Sequence, residues 1–379
     1  MEHIAYLDNS STTKPSRLAV EYINRALKYD WGNPSSLHGI GIQAETAMQE
    51  ARETVAKSIG AEPGEIIFTG SGTEANNTAL LTLLKSKKRG GRVITTAVEH
   101  PSVLETAKRL SEEGFEVIKL RPERNGTVAL ESLKAALTPN TVLVSMMLVN
   151  NETGAVMPVK ESAELVRKTV PTALFHCDAV QGYGKLEINA QKLGVSLLTA
   201  SAHKIHGPKG IGFLYCKKGV RLNPLITGGG QERGLRSGTE PLPLIMGFAG
   251  AVKELEKPKD GLIRQQELFD YTKKLMLETD GVVINSPDGC LPYILNISLP
   301  GYRSEVLLHF LESRGVYVSS GSACAKGHGS YVLAEMGLDR RLADSALRIS
   351  FCRYNGKEDA DRLYAALLEA KKQIRKANR

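Results

Sequence analysis

Residues 65–88 read EIIFTGSGTEANNTALLTLLKSKK. A β-branched, apolar run (EIIFTG, 65–70) breaks at Gly70-Ser71-Gly72 and passes into TEANNTALLTLLKSKK (73–88), whose apolar residues recur at helical spacing. Strand, glycine turn and helix make half of a βαβ unit, and the alternation continues along the chain. RVITTAV (92–98) reads as a strand and PSVLETAKRLSEEG (101–114) as a helix opened by Pro101. EVIKL is a strand, LESLKAAL (130–137) a short helix, TVLVSMMLV (141–149) a buried strand and VKESAELVRKTV (159–170) a helix. ALFHCDAVQ, LLTASAHK and GIGFLYCK then read as three successive strands. This pattern predicts an α/β fold with a mostly parallel sheet covered by helices. It changes at KPKDG, after the helix LPLIMGFAGAVKELEK (242–257). A long helix (262–279), a strand YILNISL (293–299), a helix SEVLLHFLESRG (304–315), a strand ALRISF (346–351) and a last helix from Lys357 make a smaller α/β unit. The expected division is a large domain over 15–257 and a small domain over 258–379, to which residues 1–14 return.

The bulk numbers suit this reading. The chain has 379 residues, 42% hydrophobic and 24% charged, ordinary for a globular protein with a sizeable core. The start lacks the apolar segment of a signal peptide, and no run of ~18 apolar residues exists, so neither secretion nor a membrane span is expected. Net charge is +8, gathered in KSKKRGGR (85–92), in 203–221 and in the tail KKQIRKANR (371–379). No nucleic-acid-binding motif accompanies it, so these runs read as solvated surface and no direct nucleic-acid partner is expected. The five cysteines are odd in number and widely spaced, with no CxxC. That argues against a disulfide framework or zinc ribbon and for a reducing, cytoplasmic setting.

Three segments carry chemistry-bearing residues. In FTGSGTEANN (68–77), the strand runs through Gly72 into a helix near Thr73, a backbone suited to a phosphate. In SAHKIHGPKGIG (201–212), Lys204 follows an apolar strand between His203 and His206. Burial there lowers an amine's pKa and suits it to Schiff-base chemistry. The two histidines have no carboxylate or thiol nearby to complete a metal set, and no metal is expected. In FHCDAVQGYG (175–184), Asp178 sits in an apolar strand with Gln181 beyond it. A buried carboxylate needs a cationic or donor partner. Lys204 follows 204 − 178 = 26 residues later, room for one more strand, so the two side chains can reach one site. A lysine, an opposing aspartate and a phosphate cradle are what pyridoxal phosphate (PLP) requires. His100 lies at a strand-to-helix junction, Asn150, Asn151 and Glu152 end another strand, and Arg348 in an apolar strand calls for a carboxylate, from a substrate or from the protein itself. Cys324 stands in SSGSACAKGHGS (319–330), on a segment too rich in Gly and Ser for a core thiol. Cys177, Cys216 and Cys352 read as packing residues.

Together these segments resemble the NifS/IscS-like cysteine desulfurases, class-V aminotransferases of PLP fold type I. The resemblance spans YLDNSSTT (6–13), GNPSSLHGIG (32–41), GSGTEANN, VEHPSV, VNNETG, HCDAVQGYGK, SAHKIHGPKGIG, GGGQERGLRSGTE (228–240), SSGSACAK and LRISF. It implies a seven-stranded sheet sandwiched by helices and an obligate homodimer with shared active sites. Lys204 would carry PLP and move protons at the substrate. Asp178 would pair with the ring nitrogen, Gln181 with the ring hydroxyl, and His100 would stack on the ring. Gly72, Thr73, Ser201 and His203 would hold the phosphate, joined by Thr239 from the neighbouring subunit. Asn151 and Arg348 would take the carboxylate of L-cysteine, with Asn33 nearby. Cys324 would accept sulfur as a persulfide, leaving alanine, for iron–sulfur or thio-cofactor synthesis. Selenocysteine lyase and class-V aminotransferase are the rival activities, and a non-enzymatic sulfur-trafficking scaffold is the rival from another class. The run AKGHG after Cys324 is short for a long-loop member, and the chain stops soon after its last helix. The sulfur-acceptor protein, an iron–sulfur scaffold or a tRNA-thiolation enzyme, is therefore left unassigned.

Overall fold

The computed structural model describes residues 4–85, 90–320 and 329–376. A two-residue strand, β1 (Ala5–Tyr6), opens it. Seven strands then build the main sheet: β2 (Ile66–Thr69), β3 (Arg92–Thr96), β4 (Glu116–Leu120), β5 (Thr141–Ser145), β6 (Leu174–Asp178), β7 (Leu197–Ser201) and β8 (Gly212–Cys216). Their order is β2-β8-β7-β6-β5-β3-β4. From β4 to β7 every pairing is parallel, and β2, β5 and β7 are buried along their whole length, as expected for a sheet covered on both faces. The exception is β8, antiparallel to both β7 and β2. Only a helical turn (Ala202–Lys204) and a short loop join Ser201 to Gly212, less than the dozen or so residues a parallel crossover needs. Because β8 reverses twice, β2 and β7 point the same way, and Thr69 and Ser201 both face Gly212. A side chain at Gly212 would meet Ala200 O at 2.7 Å and Ser71 C at 2.9 Å, so glycine there lets the Ser71–Gly72 turn settle against β7.

The helix expected over 73–88 begins at Gly72, with Ser71 as N-cap accepting from the Glu74 N–H, and stays α-helical to Leu81 before tightening over Thr82–Lys85. The strand expected over 141–149 is a ladder only to Ser145. Beyond it the chain bends across the end of β6, with Met146 N–H and Leu148 N–H donating to His176 and Asp178 carbonyls. Two long helices, Arg17–Lys28 and Gly39–Ser58, have no counterpart in the sequence pattern, nor do the short helices Ala190–Leu193, Tyr331–Glu335 and Arg340–Asp344. The two long helices pack on the apolar helix Leu242–Lys253. Gly247 and Gly250 make that packing close, since a Cβ at either would fall within 2.6 Å of Ile23 Cγ1 or 2.9 Å of Leu18 O.

A second sheet is antiparallel, with β10 (Ile294–Ser298) between β9 (Val283–Ile284) and β12 (Ala346–Ser350). The helix Pro258–Leu277 packs on it, and Lys357–Gln373 packs on that helix and shares the same core. β1 pairs in parallel with β11 (Val316–Tyr317), Asp8 bridges Ser350, and Ala5 and Leu7 share a core with Leu295, Ile297, Leu347 and Leu363. The start of the chain thus lies among residues from its last third. Asn296 Nδ2–H donates to Glu152 O at 3.0 Å, and Leu291 N–H to Gly154 O at 2.8 Å, binding the two sheets along one seam.

Candidate active site

A cavity of about 590 Å³ opens at this seam, over the carboxyl ends of β2, β3, β5, β6 and β7. Ligands of open α/β sheets settle at such an edge because the loops there converge. The connections after these strands bring in Gly72, Thr73, His100, Asn151, Asp178, Gln181, Ser201, His203 and Lys204, and the second sheet adds Arg348. Ten expected site residues, far apart in sequence, therefore share one space.

One end is built for an anion. The first N–H groups of a helix lack intrahelical acceptors. Ser71 Oγ satisfies Glu74, while Gly72 and Thr73 line the cavity. Across from them Ser201 Oγ is buried with no partner, and buried hydroxyls are seldom left so. His203 joins this end with Nδ1 3.2 Å from Thr12 Oγ1; burial first, then Lys204 and Lys209, push its pKa down to about 4.

The middle is held by Asp178. Its Oδ1 accepts from Val180 N–H at 3.0 Å and its Oδ2 from Asn76 Nδ2–H at 2.7 Å. Gln181 is oriented at both ends of its amide, Oε1 accepting from Lys185 Nζ at 3.2 Å and Nε2 donating to Ser10 O at 2.9 Å. Lys204 Nζ donates to the carbonyls of Ser10 and Ser11 at 2.5 and 2.8 Å. Carbonyl acceptors favour the ammonium, yet burial outweighs them and, with Arg348 and Lys185 adding repulsion, brings Lys204 down to about 7. At neutral pH much of this amine is uncharged and nucleophilic, as covalent attachment to an aldehyde requires.

The far end is cationic. Arg348 Nη2 donates to Asp8 Oδ1 at 2.9 Å and to Ser11 Oγ at 2.6 Å, and Nη1 donates to Asn151 O at 3.0 Å. Of the two partners the sequence left open for Arg348, the internal carboxylate is present. Arg348 Nε and Asn151 Oδ1 nevertheless stay buried without partners. Glu152, beside Asn151, accepts from Ser330 Oγ–H, and Tyr331 O–H donates to the Glu99 carbonyl at 2.5 Å. These bonds fasten the chain after residue 328 to the cavity wall.

Two expected site residues are not in the cavity: Asn33 and Thr239 are exposed on the surface. Cys324 lies outside the described residues. Cys177 and Cys352 are buried as expected, whereas Cys216 is only partly buried, because it ends β8 where the strand leaves the sheet. Asn76, Ser102, Ser10 and Ser11 were not singled out from sequence. Most act over long separations that no local pattern reports, Asn76 102 positions from Asp178, Ser10 194 from Lys204 and Ser11 337 from Arg348, whereas Ser102 lies two positions from His100.

The lining fits PLP. A lowered-pKa lysine, a carboxylate with acceptor capacity to spare, and an unpartnered Ser201 hydroxyl beside a helix start match an aldehyde, a ring nitrogen and a phosphate. The orphaned Arg348 Nε–H fits a further carboxylate, that of an amino acid, while the orphaned Asn151 Oδ1 beside it is an acceptor that calls for a donor.

Comparison with known proteins points the same way. The model of the family described as "Aminotransferase class-V" matches residues 5–363. A "Cysteine desulfurase" of Trichormus azollae is 40% identical over 98% of this chain and 94% of its own length. A solved "NIFS-LIKE PROTEIN" superposes with a TM-score of 0.93 at 39% identity, covering 98% of this chain and 100% of that one. "SspA in complex with cysteine" superposes with a TM-score of 0.83 at 33% identity, covering 93% and 99%.

Proposed function

Because the chain belongs to the class-V aminotransferase family, we propose that it is a PLP-dependent cysteine desulfurase that converts L-cysteine to L-alanine and takes the sulfur onto Cys324. The observation that carries this reading is the meeting of Lys204, Asp178 and the Gly72–Thr73 helix start in one cavity with an arginine at its far end. Bound PLP supplies an electron sink for bond breaking at the substrate's α- and β-carbons. The chain does the rest. Lys204 holds the cofactor covalently and moves the proton at the α-carbon. Asp178 keeps the ring nitrogen protonated, and Gln181 fixes the ring hydroxyl. Gly72, Thr73, Ser201 and His203 would hold the phosphate, and His100, in the same cavity, would stack on the ring. Arg348 and Asn151 orient the substrate carboxylate.

The Cys324 thiolate attacks the substrate sulfur. A sulfur–sulfur bond forms, the carbon–sulfur bond breaks with its electron pair left on the β-carbon, and protonation of that carbon gives alanine. The product on the enzyme is a persulfide.

A homodimer belongs to the same proposal. Thr239 and Asn33 are exposed rather than in the cavity of their own chain, so a neighbouring copy is the means by which they reach a site. Leu27, Tyr29, Trp31, Leu37 and Ile42, on both sides of Asn33, are exposed as well, and large apolar side chains gathered in this way suit an interface. The division into domains at 257/258, with residues 1–14 joining the second, is supported by the core that Ala5 and Leu7 share with Leu295, Ile297, Leu347 and Leu363, while Leu291, Ile294, Val332 and Leu333 pack into the core of the large sheet. A cytoplasmic location is supported by the four described cysteines, all free thiols. The sulfur serves iron–sulfur or thio-cofactor assembly, through an acceptor protein that draws on the persulfide.

The test is release of alanine and sulfide from L-cysteine with a thiol reductant, comparing wild type with Cys324→Ser. Equal amounts of both from the wild type and neither from the variant support the reading. A cofactor-loaded wild type that releases no sulfide contradicts it.

A further inference from the structure

The sequence HPS at 100–102 makes an unusual helix start. His100 is the N-cap of the helix Pro101–Glu112, Pro101 has no N–H to offer, and the first available amide is that of Ser102. His100 Nδ1 takes that amide at 3.1 Å. A ring nitrogen that accepts from a backbone N–H carries no proton of its own.

A second bond meets the same nitrogen. Ser102 Oγ lies 2.8 Å from His100 Nδ1 and accepts from Asn76 Nδ2–H at 2.9 Å. The same Asn76 nitrogen donates to Asp178 Oδ2 at 2.7 Å. The direction of each bond in this chain follows from the one before. A carboxylate only accepts, so the Asn76 group facing Asp178 and Ser102 is its NH₂. Ser102 Oγ therefore receives a hydrogen from Asn76 and directs its own at His100 Nδ1. Two donors converge on Nδ1, and the single proton of the neutral ring must sit on Nε2. Nε2 forms no hydrogen bond among the described residues, and His100 lines the cavity.

From this arrangement we infer that His100 is locked as an Nε2–H hydrogen-bond donor toward the substrate's part of the cavity, does not serve as a general base there, and owes this state to Ser102 and Asn76 as positioning residues. The inference rests on the desulfurase reading of the cavity. A neutral Nε2–H ring has its one basic lone pair on Nδ1, already used twice. Exposing a lone pair at Nε2 would move the proton to Nδ1 and set it against the Ser102 amide, two donors face to face. Proton removal at the substrate α-carbon then falls to Lys204, whose amine is brought near neutrality, since the neutral His203 lies at the phosphate end.

The surroundings favour the neutral ring. Burial lowers the His100 pKa, Lys204 adds to the lowering, and Asp178 works against it. Glu105, on the same helix, also lines the cavity. The Glu99 carboxyl turns away to Thr96 Oγ1 and Met147 N–H.

The test uses ¹⁵N-histidine-labelled holoenzyme and apoenzyme, with His100 assigned by its loss in His100→Gln, and reads which ring nitrogen is protonated. The expected result is Nε2–H from about pH 6 to about pH 9. In Ser102→Ala one donor to Nδ1 is gone, and His100 should titrate about one pH unit higher. His100→Ala, which removes the donor, should lose about 100-fold in activity. A proton found on Nδ1, or a pH–rate limb that disappears in His100→Gln, would overturn the inference. Failure of the desulfurase reading shows separately, as a wild type that makes no alanine, because the tautomer is read on the protein itself.

Discussion

The part of the cavity around Asp178 and the end around Arg348 are finished to different degrees, with Ser201 Oγ at the phosphate end left open like the latter. Around Asp178 the chain supplies its own partners: Val180 and Asn76 for the carboxylate, Lys185 and Ser10 for Gln181, Ser102 for His100. Around Arg348 it leaves Arg348 Nε and Asn151 Oδ1 unpaired, although Asp8 and Ser11 already hold the guanidinium in place. A cofactor that stays through many cycles is served by groups fixed in advance, because their ordering cost is met once, in folding. A substrate that enters and leaves is served by groups whose best partner is the substrate itself, so that binding strength appears only when it is there. In this protein the division follows the architecture. The finished end is built mainly on the parallel sheet, and the unfinished end lies at the seam with the second sheet.

Substitutions can break this comparison. The largest effect is expected for Lys204→Ala, which removes both covalent attachment and the α-carbon base. Alanine formation should fall about 10⁴-fold, with loss of the absorbance of covalently held cofactor. Retained turnover at a tenth of wild type would show that another base serves. Next is Arg348→Ala, which strips the unfinished end and strands Asp8. Loss of one partner of a charged, buried pair should lower kcat/KM for L-cysteine about 100-fold or more, chiefly through KM, with cofactor content unchanged. Lysine in its place should not restore the loss, since it lacks the fork that serves Asp8, Ser11 and Asn151 together. An effect on cofactor content instead would mean the two ends are not separate. Asn76→Ala probes the finished end: Asp178 loses a charge-assisted bond, and cofactor affinity should weaken about tenfold with little change in KM for L-cysteine.

Two smaller effects depend on pH. Lys204 must be uncharged to attack the cofactor aldehyde, and its pKa is brought down to about 7. The rate of loading apoenzyme with PLP should therefore rise through about pH 7 and level off above it. A rate still climbing at pH 10 would place the amine in the ordinary lysine range. Glu99 is fully buried and pushed up to about 8, chiefly by burial. A carboxyl raised on folding contributes stability that is complete below its unfolded value and lost as pH rises through about 8. Glu99→Gln, which keeps the neutral shape, should lose less Tm between pH 7 and 9 than wild type. An equal loss in both would show that Glu99 does not carry that dependence.

Sequence revealed the finished end better than its supports. Lys204 and Asp178 were legible because charged groups in apolar strands are costly and so announce a purpose, and Gly72 because a glycine turn between strand and helix has few other uses. Asn76, 102 positions from Asp178, carries no such mark, since its role comes from a contact made only by folding. The parallel run from β3 to β7 followed from alternation, but the reversal of β8 needed the length of one loop. The helix Gly39–Ser58 escaped because half of its buried residues are alanine, which contributes little to an apolar pattern. Thr239 and Asn33 were named by resemblance, and a single chain places both outside its own cavity.

The most direct measurement is a single turnover without reductant, with alanine counted and each cysteine peptide weighed. The account predicts one alanine per active site and one added sulfur on the Cys324 peptide alone. Alanine without added sulfur, or sulfur on Cys216 or another thiol, would contradict it.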